Sequence, residues 1–228
     1  MRGLIFVISI CIWTVTAAAA ETSTGIQLDS KWKQQVYEFA QKNVKHPAWG
    51  IAHSERNYQL TKTLAASEHI SLDLDVLFAA AFLHDLGGLP GFAKEGVDHA
   101  VRSVELIEPL LTQFGFPMDK FGAVKEMVLG HTYYGPVPKS LPALAFRDAD
   151  ILDFLGVIGV ARILSTTLDP EGPSSILKPS VDTLRAFAKT MAQKCTLNAS
   201  QALAKPRQQE LTGFLNVLDS ESFGAKAL

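Results

Sequence analysis

The stretch DVLFAAAFLHDLGG, residues 75–88, joins a strongly apolar segment to the polar pair His84-Asp85. Residues 76–83 are apolar on every side of a helix, which predicts a helix through the middle of a core over residues 73–86. The two glycines that follow end this helix. At its last turn Asp85 would meet an unfavourable helix dipole and little water, so its carboxylate needs a cation nearby.

The rest of the chain also follows helical spacing. No window shows sustained two-residue alternation, whereas several show apolar residues three or four positions apart. We therefore expect an all-α fold. Besides the central helix, the pattern predicts helices near residues 32–44, 51–69, 98–114, 117–131, 144–168, 180–194 and 199–218.

The composition limits the classes of protein that the chain can represent. Of the 228 residues, 47% are hydrophobic and 19% charged, which is typical of a globular domain. Two cysteines exclude a multi-cysteine zinc module and a disulfide scaffold. The formal charge of -2 argues against a nucleic acid polymer as partner. Small molecules are the expected partners.

The first twenty residues have the pattern of a secretory signal peptide. Arg2 precedes an apolar run over residues 4–15, and alanines occupy residues 17–20. We expect cleavage after Ala20 and export, to the periplasm or the medium. An uncleaved anchor is the alternative, but the run is shorter than the ~20 residues that a spanning helix needs, so no stable membrane anchor is expected after cleavage. One domain would then cover residues 21–228, with a core from about 48 to 218.

Several ionisable side chains are predicted on apolar helix faces. His53 shares a stripe with Leu60 and Leu64, and Asp150 shares a face with Phe154 and Val157. A buried unpaired carboxylate must be neutralised, paired with a cation or bound to a metal. The inward-facing set comprises His53, His84, Asp85, His131, Asp148, Asp150 and Asp153, with His99 at the start of the fourth helix. Such a cluster indicates a metal site between helices, and its ligands suit Mn, Fe, Zn or Mg.

Three motifs resemble those of the HD-domain metal-dependent phosphohydrolases. HSER at residues 53–56 resembles the HxxR opening of that family, and HDLG at 84–87 resembles its HD[IL]G. RDADILDFLGVIGVAR at 147–162 is similar to its QDADRLDALGAIGIAR-like helix. Residues 176–218 look like the last two helices of the stand-alone branch that includes nucleotide pyrophosphohydrolases. The resemblance covers about residues 48–218 and implies an all-α HD-domain bundle with its metal between helices.

The resemblance also implies a role for each matching residue. His53, His84, Asp85 and Asp150 would bind one divalent metal, Asp148 and Asp153 would orient these ligands, and His99 and His131 match the histidines that hold a second ion in binuclear members. One or two ions are therefore expected. His131 is not followed by a second histidine, which argues against cyclic dinucleotides as substrates.

The expected activity is hydrolysis of phosphoester or phosphoanhydride bonds in a small phosphorylated substrate, with a nucleotide as first choice. Asp148 or His131 would handle the proton, Arg56 would contact a phosphate oxygen, and Lys94 would be a second contact. Two alternatives remain open. The chain could be a di-iron enzyme acting on a non-phosphate substrate, or a metal- or nucleotide-binding module without turnover.

Overall fold

A computed structural model describes residues 20–168, 177–226 and 228. Apart from Ala20, the predicted signal peptide lies outside these residues, so export stays a prediction. No helix in the described part of the chain is both long enough and apolar enough to cross a membrane.

The all-α expectation is confirmed. Within the described residues the regular structure is helical, apart from an isolated antiparallel bridge between Glu21 and Gln27. Single turns of 3-10 helix occupy Leu86–Gly88, Met118–Lys120, Thr166–Leu168 and Ala192–Lys194. The α-helices are α1 (Lys31–Asn43), α2 (Ile51–Ser67), α3 (Leu74–Leu83), α4 (His99–Phe114), α5 (Phe121–Gly130), α6 (Leu141–Leu152), α7 (Gly156–Ser165), α8 (Lys178–Thr190) and α9 (Asn198–Glu221).

Short polar side chains cap the starts of three helices near the site, α3, α4 and α6. Asp73 accepts hydrogen bonds from the first backbone N–H groups of α3, and Asp98 does the same for α4. Ser140 caps α6 in the same way. At the other end of α4, Gly115 takes the left-handed conformation, with φ 80°, that ends many helices. The caps at Asp98 and Ser140 set the first turns of the helices that carry His99 and Asp150.

The sixth predicted helix is wrong as a single element. The structure divides residues 144–168 into α6 and α7, because Gly156 adopts a φ of 68°, which a continuous helix does not allow. A Cβ atom at Gly156 would lie 2.8 Å from a carboxylate oxygen at the flexible end of Glu210, so the positive φ, rather than this contact with α9, favours glycine there. Val157, predicted on the face of Asp150, is 71% exposed as a result.

The end of α3 is also earlier than predicted. The helix stops at Leu83, and Asp85 has φ -93° and ψ 0° in the turn before Leu86–Gly88. The carboxylate of Asp85 is therefore just beyond the helix, in a turn that redirects its side chain.

Two apolar clusters form the core. The first joins α1, α3, α4 and α5 and includes Ile26 and Leu28, so the core begins before residue 48. The second joins α6 to α9 and includes Leu184 and Leu211. Helix α6 contributes Phe146 to the first cluster and other residues to the second. Each large side chain buried in this way contributes roughly 1.5–3 kcal/mol to stability.

Candidate metal centre

Six ionisable side chains from five parts of the chain meet between the two apolar clusters. They arise from α2, the turn after α3, the first residue of α4, the residue after α5, and α6. Five are buried, and the His99 side chain is 28% exposed. The structure therefore brings together every residue predicted as a metal ligand: His53, His84, Asp85, His99, His131 and Asp150.

The carboxylate of Asp85 lies between two pairs of imidazoles. Its Oδ2 atom is 3.2 Å from Nε2 of His84 and 3.6 Å from Nε2 of His53. Its Oδ1 atom is 3.4 Å from Nε2 of both His99 and His131. One oxygen thus faces each pair, which is the arrangement of a carboxylate that can bridge two ions.

The opposite nitrogen of each imidazole is held by an acceptor. Nδ1 of His84 donates to the carbonyl of Ala81 at 3.1 Å, and Nδ1 of His131 donates to that of Val128 at 2.6 Å. Nδ1 of His53 lies 2.8 Å from a carboxylate oxygen of Asp153. Because these acceptors carry no hydrogen, each Nδ1 carries one, and in the neutral ring Nε2 presents a lone pair to the centre.

His99 is oriented through a tyrosine. The hydroxyl of Tyr134 donates to Asp98 at 2.8 Å and lies 3.0 Å from Nδ1 of His99. Since the hydrogen of the hydroxyl is used on Asp98, the Tyr134 oxygen accepts from His99. Tyr134 could not be predicted from the sequence, because a tyrosine in a Gly/Pro-rich loop carries no pattern that links it to His99.

These lone pairs fit a divalent cation. Nε2 of His53 is 3.2 Å from Nε2 of His84, and Nε2 of His99 is 3.0 Å from Nε2 of His131. Lone pairs that face each other at these separations repel unless positive charge lies between them. Ligand atoms bound at roughly 2.0–2.2 Å from one metal are separated by similar distances. The donor set of imidazole and carboxylate suits first-row divalent metals and magnesium.

The local electrostatics agree with a need for positive charge. Burial opposes ionisation of Asp85, yet the neighbouring imidazoles of His84, His131 and His99 hold its pKa well below the ordinary value. Burial acts against the protonation of His131, but Asp85 outweighs it and raises the pKa of His131. The pKa of His84 is lowered, mainly because it is buried. The carboxylates of Asp85 and Asp150 therefore stay ionised, and their negative charge attracts cations to the centre or protons to the imidazoles.

Arg56, the predicted phosphate contact, is paired with a carboxylate behind the centre. Its Nε and Nη2 atoms each lie 2.9 Å from an oxygen of Asp153, and it is not among the residues that line the cavity over the centre. Arg162 also pairs with Asp153, at 3.0 Å. Burial opposes ionisation of Asp153, but His53, Arg162 and Arg56 lower its pKa. Arg56 thus helps to hold the carboxylate that orients His53.

Asp148 is also not placed for the predicted proton transfer. Its Oδ2 atom accepts from the backbone N–H groups of Thr196 and Leu197, at 2.7 and 2.8 Å, and from the hydroxyl of Ser200 at 2.6 Å. These hydrogen bonds therefore hold the start of α9 against α6. Lys94, the other predicted phosphate contact, is exposed and does not line the cavity.

A cavity of about 320 Å³ opens over the centre. Asp85, His99, His131 and Asp150 form its inner end. Its remaining described walls are aromatic, aliphatic or hydroxyl-bearing: Trp49, Thr132, Tyr133, Tyr134, Phe154, Ile163, Thr183 and Phe187. The centre is thus reachable by a small molecule.

The family comparison agrees with this geometry. A family model described as "HD domain" matches residues 50–155, which contain all six candidate ligands. The protein carries an HD domain. HD domains bind divalent metals, so the family and the side chains support the same kind of centre. None of the curated proteins compared with this HD-domain protein matches it.

Solved structures with the same fold come from several bacteria. A Lactobacillus plantarum protein is 21% identical, with 89% of this chain and 98% of that chain covered and a TM-score of 0.63. Bacillus subtilis YpgQ, solved in complex with ADP, is 19% identical, with coverages of 84% and 95% and a TM-score of 0.61. A predicted HD superfamily hydrolase from an uncultured Thermotogales bacterium is 25% identical, with coverages of 83% and 90% and a TM-score of 0.54. The family and this fold support a metal-dependent hydrolase in general.

Proposed function

We propose that this HD-domain protein is a metal-dependent phosphohydrolase that acts on nucleotides. The observation that carries the proposal is the carboxylate of Asp85, which faces two pairs of imidazoles at the inner end of an open cavity. The ADP complex of the Bacillus subtilis neighbour supports a nucleotide as the ligand class. The motifs at residues 53–56, 84–87 and 147–162 support phosphate as the group attacked.

The protein's own residues form a preorganised, negatively charged binding site for a cation. Asp85 and Asp150 supply the charge that holds a divalent cation, and the hydrogen bonds at each Nδ1 keep the imidazoles aimed at the centre. When bound here, such a cation supplies Lewis acidity, which offsets phosphate charge and makes water more acidic. The aromatic side chains around the cavity limit the access of other water molecules to the phosphate.

If a single ion is bound on the side of Asp85 that faces His53 and His84, His99 and His131 remain free of metal. We infer that one of them then accepts the proton that the attacking water loses. Both Nε2 atoms face the inner end of the cavity. His131 is also the histidine for which the sequence predicted this role. His99 also has an outward path, because its Nδ1 leads through the Tyr134 hydroxyl to the exposed Asp98.

The test combines metal analysis with a substrate screen on the full chain. We expect the purified protein to contain divalent metal and to release phosphate or pyrophosphate from nucleotides when manganese is added. Asp85→Asn keeps the side-chain shape but removes the charge, so metal content and turnover should fall by about a hundredfold or more, since even residues that only orient ligands cost ~10–100-fold. The helical circular dichroism spectrum should be retained.

Asp182→Asn is the matched control, because Asp182 pairs with Lys178 on the surface. This variant should keep the wild-type rate. Turnover in Asp85→Asn at the wild-type rate, or unchanged turnover after removal of metal with a chelator, would contradict the proposal. Stoichiometric uptake of metal or nucleotide without any product would instead indicate a binding module.

A further inference from the structure

The outer wall of the cavity is a continuous aromatic surface. The ring centres of Tyr133 and Phe154 are 5.7 Å apart, those of Tyr133 and Phe187 are 5.8 Å apart, and those of Phe154 and Phe187 are 5.0 Å apart. Each ring therefore touches the other two. All three line the cavity together with Trp49. A planar group that enters the cavity would meet rings on which it can stack or pack edge to face.

The described walls of the same cavity carry no lysine or arginine, and its two histidines belong to the metal centre. Asp85 and Asp150 contribute two carboxylates to it. A phosphate group beyond reach of the metal centre would therefore meet no lysine or arginine on the described walls.

Two basic side chains lie against rings of the aromatic wall. The guanidinium of Arg162 lies 4.6 Å from the ring centre of Phe154, where it pairs with Asp153 at 3.0 Å and donates to the carbonyl of Ala48 at 2.7 Å. Nζ of Lys194 lies 5.6 Å from the ring centre of Tyr133 and donates to the backbone carbonyl of the same tyrosine at 3.3 Å. Neither residue lines the cavity.

From this distribution of rings and charges we infer that the site takes phosphate monoesters of alcohols that carry an aromatic ring, such as nucleoside monophosphates, and discriminates against polyphosphates. The inference rests on the proposed function and narrows its substrate class. A monoester carries about two negative charges near neutral pH, which the metal centre can offset. A second or third phosphate would lie against rings or carboxylates, where unpaired charge is costly.

The reaction balances without a further reactant. The oxygen of water forms a bond to phosphorus, and the bond between phosphorus and the alcohol oxygen breaks. The alcohol oxygen takes up one proton, so the products are inorganic phosphate and the ring-bearing alcohol. The aromatic wall would hold that alcohol while the phosphate group reacts at the inner end of the cavity.

The first test compares kcat/KM for four compounds, using the full chain with manganese. AMP and 4-nitrophenyl phosphate have one phosphate and a ring, ATP has three phosphates and a ring, and glycerol 3-phosphate has one phosphate and no ring. We expect the two aromatic monoesters to exceed both others by about tenfold or more, since stacking of one base contributes about 5- to 150-fold.

The outcomes separate the inference from the proposed function. If ATP reacts as well as AMP, or glycerol 3-phosphate as well as either aromatic monoester, the inference is overturned while phosphohydrolysis stands. If none of the four releases phosphate or pyrophosphate, the proposed function fails and the inference fails with it.

A second test removes part of the aromatic wall. Phe187→Ala should raise the KM for AMP about tenfold and weaken adenosine binding, followed by the fluorescence of Trp49 in the wall, by a similar factor. Its KM for glycerol 3-phosphate should change less than about twofold, because that ester has no ring to stack. Phe223→Ala, at a residue 79% exposed, is the control and should behave as wild type.

Phe187→Leu tests whether the effect of Phe187→Ala comes only from destabilisation of the fold. Leucine keeps an apolar side chain in the wall but removes the ring. It should show the same selective rise in KM for AMP. If all substrates weaken equally in both variants, Phe187 only supports the fold and the inference is overturned.

A third test adds the missing charge. Thr183 lines the cavity and is partly exposed, so Thr183→Lys can place an ammonium beside an extended phosphate chain. The ratio of kcat/KM for ATP to that for AMP should rise about tenfold, and Thr183→Met, of similar length but uncharged, should leave the ratio unchanged. An equal ratio in both variants would contradict the inference.

Discussion

At the scale of single residues, Asp148 shows why a carboxylate in an apolar helix need not belong to the site. Its side chain is fully buried and accepts three hydrogen bonds at the start of α9. Asp150, two positions later, points to the histidines instead. Helical geometry puts residues two apart on different faces, so spacing alone reveals two buried carboxylates, and it was the family resemblance at residues 147–162 that assigned Asp150 to the metal.

Asp148→Ala should therefore destabilise the fold rather than impair the centre. Loss of the charged acceptor leaves the buried N–H of Leu197 and the partly buried N–H of Thr196 without this partner, so we expect a loss of about 2–4 kcal/mol in the free energy of unfolding. Denaturant titration measures this loss. At a temperature where the variant is folded, its metal affinity should equal that of the wild type, and a large fall in metal affinity with unchanged stability would restore Asp148 to the site.

Tyr134 acts on the centre through His99. In Tyr134→Phe the ring remains but Nδ1 of His99 loses its acceptor, so the imidazole is less firmly aimed at Asp85. We expect the affinity for a second manganese ion to fall ~10–100-fold, with the first ion little affected, because His53 and His84 are oriented independently. Isothermal titration with manganese resolves the two events.

Tyr133→Phe is the matched control for this titration, since it removes the hydroxyl of the adjacent residue while the Tyr134 contact with His99 remains. If the two variants bind manganese alike, the hydroxyl of Tyr134 has no role in positioning His99.

At the scale of helices, the sequence predicted the main elements but not the breaks that shape the site. The apolar run at residues 76–83 identified the central helix, and the polar pair after it identified the centre. The central helix ends at Leu83 because Asp85 adopts a turn in which its carboxylate faces the histidines. The contact between Asp85 and His131 is long-range in sequence, so a local pattern does not predict this end. The break before α7 likewise depends on the extended conformation of Leu155 and the positive φ of Gly156, which the spacing of apolar residues does not encode.

The start of α3 is held to α1 by a charge network away from the centre. Nζ of Lys33 lies 3.1 Å from Asp75, and its side chain is only 10% exposed. Lys120 also contacts Asp75, at 2.8 Å. Burial opposes ionisation of Asp75, but these two lysines outweigh it and lower its pKa. The ionised carboxylate therefore stabilises the folded state more than the unfolded one.

Asp75→Asn should lower the free energy of unfolding by about 1 kcal/mol at pH 7, as expected for a partly exposed ion pair. Because the folded pKa lies below the unfolded value near 3.9, the difference from wild type should be complete above about pH 5 and shrink as the pH falls below about 4. Thermal unfolding from pH 3 to 8 checks this. Asp182→Asn, on the exposed surface of α8, should show little difference, and a difference for Asp75→Asn that grew below pH 4 would reverse the assigned sign.

At the scale of the whole molecule, the polar centre lies at the junction of the two apolar clusters. Its candidate ligands lie on α2 and α6 and at or next to the ends of α3, α4 and α5. Helices of both apolar clusters therefore contribute charged or ionisable side chains to the same centre. Buried carboxylates and facing lone pairs oppose this convergence, and the apolar contacts on either side must offset it. A cation that relieves the repulsion should therefore stabilise the packing of the two clusters against each other.

Metal binding should accordingly raise the melting temperature of the whole chain in one transition. At a manganese concentration about 100 times the dissociation constant, the linkage relation gives ~2.7 kcal/mol, which corresponds to about 5–10 °C for a domain of this size. Scanning calorimetry with manganese and with chelator measures the shift. Asp150→Asn should lose most of it, because Asp150 and His53 belong to the same candidate group of ligands, whereas Asp182→Asn should keep it. If instead the second cluster, with α8 and α9, melted separately and independently of manganese, the centre would stabilise only its own ligands and would not join the two clusters.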